Sequence, residues 1–177
     1  MAHDAVDRER RRQLFEGENY FTALAYNESY NEKTGYNYRA ISRNPDGRKF
    51  YGKYQMGVAA LQTAGFIDEN GKWTGKMGVN SPEDYLNNPE AQEVAVKEFT
   101  ESNWKTIKKL KLDRFIDTQR FGVTITKTAL LGAAHIGGVN GVKRLLENDK
   151  DPADKNGTRI STYLYELSGT YDPLGIS

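Results

Sequence analysis

Residues 51–65 read YGKYQMGVAALQTAG, a glycine-punctuated polar turn set directly against the start of an apolar helix. Its first seven residues hold two glycines, two tyrosines, a lysine and a glutamine. Helical spacing begins at about Val58 and runs to Ala64, where Gly65 closes it. A turn so rich in hydrogen-bonding groups suits a ligand, but it needs a chemically active partner elsewhere in the chain.

Upstream, residues 29–51 are rich in Asn, Tyr, Gly, Asp and Pro and have little periodicity. They read as a long loop or small irregular lobe, with a turn at the NPDG of 44–47 and the best strand candidate at Tyr38–Ser42. Residues 5–28 read as a helix whose apolar positions include Leu14, Phe21, Leu24 and Ala25. Gly17 marks a break that leaves a shorter helix from Asn19.

Downstream, DENGKWTGKMG is loop, and Ser81 with Pro82 opens a short helix over PEDYL. Asn88 and Pro89 repeat that start signal for a helix over 89–111, with a face of Ala91, Val94, Ala95, Phe99 and Trp104. Trp73 and Trp104 read as core or surface anchors. Thr124–His135 is strongly apolar and predicts a buried central helix, which GGVNG interrupts before a further turn or two at Val142–Leu146. A last short helix spans Ser161–Leu167. The pattern predicts one mainly α domain over 1–177, with an N-terminal helical extension at 1–18 and a loose tail at 172–177.

Composition narrows the chemistry. The 177 residues suit a single sizeable core, and a formal net charge of +1 gives no global attraction to nucleic acid. Arg8, Arg10, Arg11 and Arg12 form a local run interrupted by Glu9, which reads as a solvated helix face. The absence of cysteine excludes a disulfide framework and a thiol nucleophile, and two histidines, His3 and His135, argue against a histidine-built metal site. No metal and no cofactor is expected. No apolar run reaches the roughly 20 residues of a membrane span, so no membrane insertion is expected, and the charged N-terminus lacks a signal-peptide core.

The end of the first helix supplies the partner. Glu28 follows Leu24 by four residues and Phe21 by seven, so at about 100° per residue it projects within about 40° of that apolar face. Lost hydration there disfavours the charged carboxylate and suits a general acid. A boundary glutamate turned to solvent, or bonded to a loop amide, is the plainer reading.

Taken in order, these motifs resemble the lysozyme-like, lytic-transglycosylase superfamily. Glu28-Ser29 matches its helix-ending Glu-Ser pair, and Gly52 with Gln55 its Gly-x-x-Gln turn. AAHIGGVNG at 133–141 stands where the family has an apolar helix ending in Ala-Tyr-Asn-Ala-Gly, and STYLYELSG supplies the late tyrosine-bearing helix. The resemblance covers roughly residues 19–171. His135 replaces the family tyrosine, and the segment between the first two motifs is longer than in compact members, as in phage or secreted-effector muramidases.

The resemblance implies a lysozyme-like domain in which a small irregular or slightly β lobe flanks a central cleft. It implies cleavage of the β-1,4 bond between N-acetylmuramic acid and N-acetylglucosamine in peptidoglycan, with Glu28 as acid/base. Ser29, Tyr54, Gln55, His135 and Tyr163 are the expected substrate-binding residues. Glu32 and Asp46 are candidates for a second carboxylate, which hydrolysis uses and ring-closing transglycosylation does without. Such an enzyme acts on glycan strands in the bacterial periplasm or cell wall, delivered by a phage particle, a lysis system or a secretion apparatus. It needs no oligomer, and its further partners would be an immunity or delivery protein. Alternatives are a chitinase-type glycosidase, a non-catalytic glycan-binding or phage tail-assembly domain of the same fold, and a structural helical protein without a glycan partner.

Overall fold

The computed structural model describes residues 5–153 and 157–177; residues 1–4 of the expected extension, His3 among them, lie outside these. Among the described residues the chain is mainly helical, with two small antiparallel sheets. It divides into two compact units, one formed by Leu24–Ser102 and the other by the described residues up to Ala23 together with Asn103–Ser177.

The helix read over 5–28 is broken where Gly17 marked it, giving α1, Ala5–Phe15, and α2, Tyr20–Ser29. Gly17 separates them with φ +76°, and Asn19 restarts the chain by accepting the Phe21 N–H at 2.8 Å. The break shifts the helical phase, so Leu14 does not share the buried face with Phe21: it is 54% exposed, and Phe15 is buried instead. Nor is the arginine run wholly solvated. The guanidinium carbons of Arg8 and Arg12 lie 4.6 and 5.8 Å from the centre of the Tyr165 ring.

In the discontinuous unit, α6 (Lys127–Asn148) begins at Thr126, whose hydroxyl accepts the Ala129 N–H at 3.1 Å. The helix is kinked at Gly138, φ 69° and ψ 163°. The GGVNG stretch, expected to interrupt it, does so at that one residue. The other glycines let α7 (Ile160–Leu167) approach closely. A Cβ on Gly137 would stand 2.5 Å from Cδ1 of Ile160, and one on Gly132 would press on Leu167. Residues 172–177, expected to be loose, are anchored by Asp172, which pairs with Lys127 at 3.1 Å and accepts the N–H groups of Leu174 and Ile176.

A second hairpin escapes the periodicity reading: β3 (Gln119–Arg120) pairs with β4 (Val123–Thr124). The linking residues, Phe121 at φ 54° and Gly122 at φ 82°, both adopt positive φ, as a twist-matched two-residue turn requires. Phenylalanine rarely takes that conformation, so the sequence gives little warning.

The continuous unit opens with the last turns of α2, passes through a hairpin of β1 (Ile41–Arg43) and β2 (Lys49–Tyr51), and continues to α3, Val58–Thr63. The strand lies slightly later than Tyr38–Ser42 because its register is set from the NPDG turn, closed by Gly47 N–H to Asn44 O at 2.8 Å. Gly65, φ +79°, ends the α3 segment as expected. α4 (Pro82–Leu86) is capped by Ser81, and α5 (Pro89–Lys109) by the Asn88 side chain accepting the Ala91 N–H. Tyr54, Met56, Leu61, Phe66 and Tyr85 are buried together in this unit, and Trp73 packs against Tyr85 with ring centres 5.8 Å apart.

Candidate functional site

The continuous unit holds six of the eight residues singled out from sequence: Glu28, Ser29, Glu32, Asp46, Tyr54 and Gln55. His135 and Tyr163 belong to the other unit.

Leu24 and Ala25 are fully buried in α2, and Glu28 and Ser29 at its end are half-buried. Glu28 therefore sits at the margin of an apolar helix face, as its spacing predicts, and enters into interactions within the protein. Ser29 Oγ accepts the Asn37 N–H at 3.4 Å, which draws the following loop back across the helix end. That loop reverses tightly: Asn31 Oδ1 accepts the N–H groups of Lys33 and Thr34, and the backbones of Asn31 and Gly35 bond to each other. Glu32 is exposed on this reversal. Asp46 lies in the hairpin turn and is engaged by Arg48, whose backbone N–H and Nε donate to it at 3.1 and 2.8 Å.

The turn at 52–55 is built on two residues of positive φ, Gly52 at +82° and Gln55 at +51°. Glutamine pays a strain of about 1 kcal/mol or more there, and its side chain returns hydrogen bonds. Nε2 donates to Gly52 O at 2.9 Å and Ala40 O at 3.3 Å, while Oε1 accepts from the Ser42 hydroxyl. Gln55 thus locks the turn onto the strand that begins at Ile41. Expected as a sugar ligand, it is engaged at both ends of its amide by its own lobe.

Beneath the turn lie two residues that the sequence reading passed over. Gln92, 1% exposed, accepts the Lys53 N–H at 2.9 Å and donates to the carbonyls of Tyr38 and Tyr85 at 2.8 and 3.0 Å. Glu93 pairs with Lys53 Nζ at 2.9 Å and accepts from the hydroxyls of Tyr38 and Tyr54, each at 2.8 Å. The Lys53 ammonium also faces the rings of Tyr36, Tyr38 and Tyr54 at 5.1–5.6 Å. Burial pushes the Glu93 carboxyl up, but the bonds from Lys53, Tyr54 and Tyr38 outweigh it and hold the group below the ordinary glutamate value. Burial pushes the Lys53 ammonium down, and Glu93 more than reverses that. Burial, then Glu93, raises the Tyr54 phenol. Tyr54, expected in the sugar site, is 2% exposed and belongs to this network.

A polar pair inside PEAQEVA, flanked by the buried Ala91 and Ala95, is the only sequence signal for Gln92 and Glu93. An apolar template skips it because the buried stripe of α5 includes polar positions.

In the other unit His135 is half-buried on α6 before the kink, and Tyr163 is buried on α7. Glu166, also on α7, is wholly buried. Among the described residues no group of three or more His, Cys, Asp and Glu is placed to hold a metal ion, and no helix is long and apolar enough to cross a membrane. Comparison with protein-family models, with curated proteins and with solved structures finds no match.

Proposed function

We propose that the protein is a glycosidase of lysozyme-like type that cleaves the bond between N-acetylmuramic acid and N-acetylglucosamine in peptidoglycan. The observation that carries this reading is the half-buried Glu28 at the last turn of α2, with Ser29 beside it tying down the returning loop. In that position the protonated carboxyl gives its proton to the glycosidic oxygen as the C–O bond breaks, and the resulting carboxylate then takes a proton from the attacking hydroxyl.

Of the two candidates for a second carboxylate, Glu32 is exposed on its loop reversal and Asp46 is held in an ion pair. Asp46 is engaged by Arg48, and Glu93 by Lys53 and two tyrosines. Where Glu28 acts by itself it deprotonates a hydroxyl of the muramic sugar, which closes an anhydro ring; where Glu32 activates a water, the outcome is hydrolysis. Anhydro fragments released from purified walls are lighter by one water than hydrolytic ones, and mass spectrometry separates the two. The parent assignment is tested by loss of turbidity of purified cell walls. The wild type clears them and Glu28→Gln does not; equal clearing by both removes Glu28 as the acid, and clearing by neither favours a non-catalytic glycan-binding domain.

A further inference from the structure

The lobe between α2 and α3 concentrates positive charge. From Arg39 to Lys53 the chain carries Arg39, Arg43, Arg48, Lys49 and Lys53 against one acid, Asp46, in a protein of net charge +1. Three of these cations are neutralised inside the unit. Arg39 pairs with Glu83 at 2.9 Å, Arg48 with Asp46 at 2.8 Å and Lys53 with Glu93 at 2.9 Å. Arg43 and Lys49 have no anionic partner among the described residues.

These two are direct cross-strand partners in the β1–β2 register, and both are exposed. Like charges opposite one another on an antiparallel ladder repel and weaken the pairing, and a two-stranded hairpin has little stability to spare. Alternation along the strands fixes which face they occupy. Ser42, though exposed, bonds to Gln55, and the Phe50 ring lies 3.0 Å from where a Cβ of Gly57 would be, so that face meets the 52–57 turn. Arg43 and Lys49 share the opposite face with Ile41, which is exposed, and Tyr51, which packs edge-on to Trp73 with ring centres 6.5 Å apart.

We infer that this face is an anion-binding surface that grips the carboxylates of the wall polymer's peptide stems, with Arg43 and Lys49 closing on one carboxylate from two sides. The choice of polymer rests on the glycan-cleaving reading above, whereas the demand for an anion comes from the unbalanced pair itself. Bound carboxylate converts the cross-strand repulsion into two attractions, weakened by salt.

The test is co-sedimentation with insoluble purified peptidoglycan at low salt, in a Glu28→Gln background so that the polymer stays intact. Removal of both charges, Arg43→Gln with Lys49→Gln, is expected to weaken binding roughly tenfold, from up to about fivefold for each exposed ion pair. Exchange of the cations, Arg43→Lys with Lys49→Arg, keeps it. Amidation of the wall carboxyls brings the starting protein down to the level of the double Gln variant, and high salt brings the two together. The proposal is overturned if the double Gln variant sediments as well as its parent, if amidated walls hold the parent equally, or if the parent fails to bind walls at all. It is also overturned if the variant only aggregates while its soluble fraction binds undiminished, because the cations would then serve to protect a strand edge. Carboxylate-dependent binding by a protein that clears no walls in its wild-type form would leave this surface standing and remove the glycosidase. Clearing of walls with undiminished binding by the variant would do the reverse.

Discussion

Gly52 and Gln92 are fitted against each other: a Cβ at Gly52 would come within 2.7 Å of Cδ of Gln92 and nearer still to its Oε1. That oxygen receives the Lys53 N–H, so the space a methyl would take is already used by a buried hydrogen bond. Gly52→Ala also forces alanine into φ +82°. We expect a loss of about 2–4 kcal/mol, summing the backbone strain and the disturbed buried amide, measured by urea unfolding. A change below about 0.5 kcal/mol would show that the Gln92 amide moves aside freely.

The Lys53–Glu93 pair makes stability depend on pH at both ends. Glu93 is held below its ordinary 4.5, so its contribution is present above pH 4.5 and is lost as pH falls through the folded value. Lys53 is raised above 10.5, so its contribution is present below that pH and is lost as pH rises through the folded value. Glu93→Gln should cost about 1–3 kcal/mol at pH 7, and the gap to wild type should close on acidification. Thermal unfolding at pH 7 and pH 3 checks this; a gap as wide at pH 3 would mean that packing, not charge, sets the cost.

The close approach of α7 to α6 predicts a specific coupling. Gly137→Ala should destabilise by about 1–2 kcal/mol by crowding Ile160, even after the helix-propensity gain of alanine. In combination with Ile160→Ala the two effects should be less than additive by about 1 kcal/mol in a double-mutant cycle. Strict additivity would show that the helices separate rather than interlock.

Glu28→Gln should lower wall-clearing activity by about 10²–10⁴-fold, the usual range for removing a general acid. Its unfolding midpoint should stay near that of the wild type, since Glu28 is only half-buried. Loss of activity accompanied by a large loss of stability would point to a structural carboxylate.

What could be read from the sequence was what short-range chemistry decides. Ser81 with Pro82, Asn88 with Pro89, Gly65 and the NPDG turn each act within four residues, and each stands where its composition puts it. Glu28 likewise follows from helical phase alone, which places it at the margin of the buried face of α2. Tertiary structure decided the rest, because the deciding partners are far apart in the chain. Lys53 meets Glu93 across 40 positions, and Gln92 reaches back to Tyr38 across 54. The roles of Tyr54 and Gln55 as braces, and of Gly132 and Gly137 as the seat of α7, exist only once those segments are packed together. A propensity or a period describes one residue's preference for its own backbone, whereas a buried hydrogen bond or a missing Cβ is set by whatever surface arrives opposite.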